Sequence, residues 1–199
     1  MSFKILYGFL PLIFILVSCV ETNEELLDKA YKLTKEKKYD KAINIYTKVI
    51  ERNNKLELAY YNRGFAYVAI RNYANALADF NEVINRHKFG DVIFEYNKDF
   101  PLADEETRAK VSYYDALYER AQVKFYMDSL RSSFQDFQIL INRNYEKSNC
   151  FLWQGTIWIN DGQNIKACDY CLKAKQSALE DQDRHDAESM ISKYCLQTK

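Results

Sequence analysis

From residue 23 onward, apolar residues recur three and four positions apart, which places them along one face of an α-helix. The stretch KYDKAINIYTKVIERN, which starts at Lys38, shows the pattern with Tyr39, Ala42, Tyr46 and Val49. The chain has only 5 glycines and 2 prolines, a scarcity that disfavours a turn-rich all-β fold. The pattern therefore predicts an all-α protein.

The helical pattern repeats along the chain. The stretch NYANALADFNEVINRH reproduces it with Tyr73, Ala76, Phe80 and Val83. Each of these residues lies 34 positions after its counterpart, as in 73 − 39 = 34. Self-similarity at a fixed period is the signature of a solenoid, in which each unit packs on its neighbours.

The pattern closely resembles the tetratricopeptide repeat (TPR) family, in which each repeat is two antiparallel helices that approach through small residues. The second repeat matches best, with the expected aromatic and small residues at Tyr60, Gly64, Tyr67, Tyr73, Ala76 and Phe80. The first repeat has Leu26, Ala30, Leu33, Tyr39, Ala42 and Tyr46 at these positions. A third and a fourth repeat keep the phase with Leu117, Ala121, Leu130, Ser133 and Phe137, and with Phe151, Gly155, Trp158 and Ala167.

The resemblance implies a right-handed α-solenoid of about four helix pairs, spanning 23–199 and closed by a C-terminal capping helix. The offset from Ala76 to Ser133 is 133 − 76 = 57, which is 34 + 23, so an insertion separates the second and third repeats. The expected units are repeats at about 23–56, 57–90, 114–147 and 148–181, an insertion at 91–113 and a capping helix at 182–197.

The insertion carries its own helix signal. Asp104, Glu105 and Glu106 are typical of a helix start, because acids favour the positive end of the helix dipole. We expect this helix to continue into the third repeat. The aromatic loop before it is either a lid or docking element, or a segment that packs over the long helix.

The N-terminus predicts export. Lys4 precedes an apolar run from Ile5 to Val17, which is shorter than the ~20 residues of a membrane-spanning helix and fits a signal peptide at 1–18. The run ends in LVSC, which resembles the lipobox of bacterial lipoproteins. The resemblance implies that Cys19 becomes the mature N-terminus and carries acyl chains, with 19–22 as a tether. The alternative is an ordinary signal or anchor with a chance cysteine.

The residues after Cys19 bear on the location. Val20 is not the aspartate that retains enteric lipoproteins in the inner membrane. Glu21, Glu24 and Glu25 resemble acidic export signals of some surface lipoproteins. We therefore expect a protein lipid-anchored in the bacterial cell envelope, at the outer membrane, on its periplasmic or surface face.

Composition excludes some functions. The chain has 28 basic and 28 acidic residues and a formal net charge of zero, so it lacks the basic excess of a nucleic-acid binder. Hydrophobic residues make up 48%, enough for a real core. The sequence contains no HExxH, GxSxG, phosphate loop or EF-hand motif. We therefore expect no enzyme, catalytic residue, metal, cofactor or small-molecule substrate.

Four cysteines fall late in the chain, and export favours disulfides. If the chain reverses near 162 and 180, Cys171 lies nearest Cys150 and Cys168 nearest Cys195, so these two pairs are predicted. Buried reduced thiols are the main alternative. A metal site that combines the Cys-x-x-Cys pair with other thiols or His185 is a weaker one.

The TPR resemblance also implies a partner site on the concave face of the first helices. Carried over by repeat position, its residues are Tyr31, Tyr61, Asn62, Phe65, Tyr118, Gln122, Phe125, Tyr126 and Trp153. Some family members hold a C-terminal carboxylate there, but only Asn62 matches that clamp, and Asp115 and Glu119 have the wrong sign. The rings suit an extended or helical peptide with apolar side chains, and the alternative is that they fill the core.

Together these patterns favour a lipid-anchored, non-enzymatic scaffold for protein–protein interaction, which binds a peptide or protein on its concave face. The alternative is a structural accessory subunit of a larger outer-membrane assembly or uptake complex, without a ligand of its own. A third hypothesis is an enzyme or metal protein centred on the C-terminal thiols.

Overall fold

The computed structural model describes residues 21–86 and 113–195. The predicted signal peptide at 1–18, Cys19 and nearly all of the expected insertion at 91–113, with its predicted helix start, lie outside the described residues. The helices are α1 (Asn23–Lys35), α2 (Tyr39–Arg52), α3 (Glu57–Ala69), α4 (Tyr73–Arg86), α5 (Tyr113–Tyr126), α6 (Leu130–Asn142), α7 (Lys147–Asn160), α8 (Asn164–Ser177) and α9 (Asp181–Tyr194). Neither described stretch contains a strand.

Each helix packs mainly on the helices before and after it, and α4 packs on α5 across the gap in the description. This one-dimensional packing is that of a solenoid, in which stability comes from neighbouring units. The predicted all-α solenoid is confirmed. None of the described helices has the length and apolar character needed to span a bilayer.

Small residues let the two helices of each pair approach closely. Ala42, Ala76, Ser133 and Ala167, one on each second helix, are completely buried. At Gly64 on α3, an added Cβ would lie 2.9 Å from a ring carbon of the buried Phe80, so only glycine fits. The size restriction explains why these positions recur with the period of the repeat.

The turn inside each helix pair ends on a residue with left-handed backbone. The φ angles of Lys37, Arg71, Asp128 and Gly162 are 60°, 59°, 60° and 72°. The residue after each donates its N–H to a carbonyl five residues back, as Lys38 does to Leu33 at 2.9 Å, which caps the first helix. Only the last of these turns has the glycine that favours this conformation, so the other three carry little signal in their sequence.

Polar contacts join successive pairs at equivalent positions. Arg63 on α3 donates two hydrogen bonds to Asp79 on α4, at 2.7 and 2.9 Å, and a third to Thr47 on α2 at 3.0 Å. Arg120 on α5 repeats the arrangement with Asp136, at 2.9 Å twice, and with Asn81 on α4 at 3.0 Å. Both carboxylates are buried.

The bonds from Arg63 to Thr47 and from Arg120 to Asn81 reach the preceding helix pair, whereas the bonds to the two aspartates lie within a pair. Lys124 also donates to Asp136 within the third pair, at 2.7 Å. In the fourth pair the buried Gln154 takes the arginine's place and donates to Gln138 on α6 at 3.3 Å. In each of these three pairs, a donor at the equivalent position bonds to the preceding pair. These bonds therefore help to fix the position of each pair relative to the one before it.

The C-terminal cysteines follow the prediction in part. A disulfide joins Cys168 on α8 to Cys195 at the end of α9, with the Cα atoms 5.6 Å apart. This pair is confirmed. The predicted Cys150–Cys171 pair is wrong, because both thiols are free and buried.

Cys150 and Cys171 do not form a disulfide because Cys171 of α8 lies beside a different part of α7, further along its axis than Cys150. The Cys171 sulfur lies 3.2 Å from where a Cβ on Gly155 would stand. Gly155 is five residues, or about 7.5 Å along the helix axis, beyond Cys150. The Cys150 thiol contacts the carbonyl oxygen of Tyr145 at 3.5 Å instead.

Candidate partner-binding groove

The first helices of the pairs, α1, α3, α5 and α7, carry all nine residues predicted to bind a partner, and we call the face they form the groove. Tyr31, Phe65 and Tyr126 expose 50%, 42% and 47% of their surface. The other six residues of the prediction are half-buried. The groove therefore presents rings that are neither fully in the core nor fully in solvent.

Three of the predicted rings form one cluster. The ring centroids of Phe125 and Trp153 are 5.4 Å apart, and those of Tyr126 and Trp153 are 6.1 Å apart. Trp153 stacks on the buried Phe137 at 5.8 Å and donates its indole N–H to the Tyr118 hydroxyl at 3.2 Å. Contacts with the buried Phe137 and with Tyr118 thus hold Trp153, the centre of this cluster, in a fixed orientation.

A second ring pair lies on α3. The centroids of Tyr61 and Phe65 are 5.4 Å apart in an edge-to-face arrangement, and both rings contact the buried Phe80. Tyr31 belongs to neither group, since its described ring contact is with the ammonium of Lys35, 5.1 Å from the ring centroid. The structure therefore brings six of the predicted rings together in two groups and leaves Tyr31 apart, while the half-buried Asn62 and Gln122 lie on the same helices. Their role in binding stays a prediction.

Two carboxylates accompany the rings on α5. Asp115 accepts a hydrogen bond from the Tyr145 hydroxyl. Glu119, one turn later, is half-buried and has no hydrogen bond or ion pair within the described part of the chain. Burial, and then the neighbouring Asp115, raise the pKa of Glu119 to about 7. Ionising a half-buried carboxyl beside another acid costs free energy. The Glu119 carboxyl also remains available to bind a group of a partner.

Two tyrosines of the groove also have raised pKa values. Burial raises the pKa of Tyr61, and the charges of Glu119 and Asp115 raise it further. Burial also raises the pKa of Tyr118, against the opposing effect of its hydrogen bond with Trp153. The acids of α5 therefore act electrostatically on Tyr61 of α3, and both phenols remain protonated at neutral pH.

The far end of the groove is acidic as well. Asn149 on α7 donates to Glu146 at 2.9 Å and to Asp183 on α9 at 3.4 Å. Burial raises the pKa of Asp183, as do the charges of Glu146 and two other acids nearby. These residues were not among the predicted site residues, although Asp183 follows Asn149 by 34 positions, one repeat period, and so continues the groove in register.

The groove holds carboxylates, phenols and amides, without a nucleophile activated by a base. The described residues contain no group of three or more His, Cys, Asp or Glu side chains placed to hold a metal ion. The arrangement is suited to recognition through ring surfaces and hydrogen bonds.

Comparison with known proteins supports the fold. No protein-family model matches the chain, and no curated protein sequence matches it. Solved structures do match. A MamA structure has a TM-score of 0.60 at 14% identity and covers 87% of this chain and 90% of its own, and a MamA structure from Desulfovibrio magneticus RS-1 has 0.59 at 11%, covering 89% and 97%.

YrrB, described as a TPR protein with an unusual peptide-binding site, has a TM-score of 0.57 at 16% identity and covers 89% of this chain and 80% of its own. At these identities the similarity shows the fold alone. The fold is an all-α solenoid similar to that of the TPR protein YrrB.

Proposed function

We propose that this protein is a non-enzymatic scaffold that binds a peptide or protein segment in the groove of its TPR-type solenoid. The observation that carries the proposal is the clustering of Phe125, Tyr126 and Trp153, which the core orients while Tyr126 keeps 47% of its surface exposed. Rigid aromatic side chains held at one edge are typical anchors of peptide interfaces.

The fold adds to this support. YrrB has a peptide-binding site and the same fold as this chain. The groove also has hydrogen-bonding amides at Asn62 and Gln122 beside the rings, which suits a peptide backbone.

We further propose that the protein is lipid-anchored through Cys19 in the bacterial cell envelope, at the outer membrane. The LVSC sequence after an apolar run supports this proposal. The anchor would hold the groove near the membrane surface, because only about four residues separate Cys19 from the start of α1.

The groove is tested by a double substitution, Tyr61→Ala with Tyr118→Ala. Each deep aromatic anchor typically contributes about 2 kcal/mol or more, so we expect recovery of partners from detergent-solubilised membranes to fall at least tenfold. A matched control, Tyr39→Ala with Tyr170→Ala, removes the same atoms from half-buried sites on the second helices α2 and α8. It should leave recovery unchanged.

Circular dichroism must first show that both double variants keep their helicity. If the folded groove variant retrieves the same partners at the parent's yield, the groove is not the binding site. The anchor is tested by Cys19→Ala with a fatty-acid analogue as label. A variant that is labelled and fractionates like the parent would exclude the lipoprotein proposal.

A further inference from the structure

We infer that the groove takes a basic segment of its partner, with a lysine or arginine side chain bound beside Glu119 and flanked by the rings of Tyr61 and Tyr118. This inference rests on the proposed function, since it names the chemistry of the partner for the same groove. It differs from the apolar peptide that the rings alone would suggest.

The first support is the charge of the groove. The second, fifth, sixth, ninth, twelfth and thirteenth positions of the four first helices make 4 × 6 = 24 inward positions, and Lys35 is the one base among them. Four of them carry acids, which are Glu24, Asp28, Asp115 and Glu119. The whole chain has equal numbers of basic and acidic residues, whereas these positions have more acids than bases. Charge complementarity then favours a cationic partner.

The second support is the position of Glu119. It precedes Trp153 at an offset of 153 − 119 = 34, which is one repeat. Tyr61 precedes Tyr118 at an offset of 118 − 61 = 57, which is one repeat plus the insertion, so the two pairs occupy equivalent places. Trp153 donates a hydrogen bond to Tyr118 at 3.2 Å and closes that part of the groove. At the equivalent place one repeat earlier, beside Tyr61, Glu119 stands where the later repeat has Trp153. A carboxyl therefore interrupts the row of rings near the centre of the groove.

The third support is that no described cation satisfies this acid. The nearest cations on its own helix, Arg120 and Lys124, are bound to Asp136 on α6. The groups that act on the pKa of Glu119 are its burial and Asp115, both of which raise it. A bound ammonium or guanidinium would supply the missing positive charge, and the flanking phenol rings would add cation–π contacts.

The acids at the far end extend the same surface. Glu146 and Asp183 converge on Asn149, and Asp183 belongs to α9, which continues the row of inward helices. Between this cluster and Glu119 lie Tyr118 and Trp153. A segment with basic residues separated by apolar ones would match the alternation of acids and rings along the groove.

The test uses the full chain in detergent and three labelled peptides of equal length, in which leucine alternates with lysine, glutamine or glutamate. Fluorescence anisotropy is measured near pH 8, above the pKa of Glu119, and at about 0.1 M salt. We expect the lysine peptide to bind about tenfold more tightly than the glutamine peptide, and the glutamate peptide to bind weakest.

Glu119→Gln should weaken binding of the lysine peptide about five- to tenfold and leave binding of the glutamine peptide unchanged. Glu51→Gln is the matched control, because it makes the same charge change at an exposed site on α2. It should alter the lysine peptide's affinity by less than about twofold. Both variants must first show parental helicity.

The outcomes separate this inference from the proposed function. Equal binding of the three peptides, or preference for the glutamine or glutamate peptide, overturns the basic partner. If Tyr61→Ala with Tyr118→Ala still abolishes that binding, the groove remains a binding site. If no peptide binds and the double variant keeps all membrane partners, both ideas are wrong.

Discussion

Replacing Glu119 with glutamine is expected to stabilise the fold above neutral pH. The carboxyl is half-buried beside Asp115 and has no hydrogen-bond or ion-pair partner in the described part of the chain. Glutamine has nearly the same shape and no charge. The substitution therefore removes a buried charge without removing a described contact.

The sign and size follow from the pKa. Glu119 has an ordinary pKa of 4.5 and a folded-state pKa of about 7. Between these values the unfolded chain releases the proton and the folded chain keeps it, so the stability that this group provides at low pH is lost as pH rises toward 8. The difference corresponds to about 3 kcal/mol at most, and water access to a half-buried group reduces this to roughly 1–3 kcal/mol.

The assay is urea unfolding followed by circular dichroism at about pH 5 and about pH 8.5. The variant should exceed the parent by about 1–3 kcal/mol at the higher pH and by much less at the lower pH. All other titrating groups are shared, so they cancel in the comparison. Glu51→Gln, at an exposed site, should change stability by less than about 0.5 kcal/mol at both values. A Glu119 variant that is less stable than the parent at high pH would refute the reasoning.

Three further changes test the packing. Asp136→Asn should cost about 3 kcal/mol, because it leaves the half-buried Arg120 without its carboxylate. Cys168→Ser should lower stability by about 3–4 kcal/mol, since the disulfide to Cys195 closes a separation of 27 residues. Gly64→Ala should cost about 1–2 kcal/mol, because the new Cβ would lie 2.9 Å from a completely buried phenylalanine ring. Urea unfolding measures all three.

Each of these changes has its own control. Glu36→Gln breaks an exposed ion pair with Lys38 and should cost less than about 0.5 kcal/mol, so an equal loss for Asp136→Asn would contradict the stabilising role of this buried carboxylate. The double change at Cys168 and Cys195 should cost no more than the single one. Gly162→Ala, with no atom within 4 Å but φ of +72°, should cost about 1 kcal/mol by backbone strain alone.

The sequence contained enough to predict the fold, because small residues recur where helices touch. Ala42, Ala76, Ser133 and Ala167 define the period, and all four are completely buried. Ser133 keeps its place because its hydroxyl donates to the Ala121 carbonyl at 2.7 Å. Steric demand at a helix contact is a local property, and local properties can be read from spacing.

Contacts that depend on how far one helix is shifted along its neighbour were harder to predict from the sequence. The chain reversals correctly put α8 beside α7, but they did not show that Cys171 faces Gly155. The arginine–aspartate pairs had a signal in their spacing. The offset from Arg63 to Arg120 is 120 − 63 = 57, and it equals the offset from Asp79 to Asp136, 136 − 79 = 57. Charged residues on a repeat helix usually belong to its surface, so this coincidence of spacing is easily missed.

The groove was predictable only as a set of positions. Some inward positions of a TPR-type helix pack in the core and others are exposed to a ligand. A single sequence does not show which position has which role. Trp153 stacks on the buried Phe137 while Tyr126 beside it stays half-exposed. The division depends on which neighbour fills the space behind each ring, which is a property of the assembled solenoid.

The disulfide between Cys168 and Cys195 also sets how the chain responds to force. If the molecule is pulled from its C-terminus, tension passes directly from Cys195 to Cys168 and bypasses α9 and most of α8. The 195 − 168 − 1 = 26 bypassed residues would extend by about 90 Å when fully stretched. While the disulfide is intact, the bypassed segment cannot extend. Reducing the disulfide would therefore appear as additional extension in a single-molecule pulling trace.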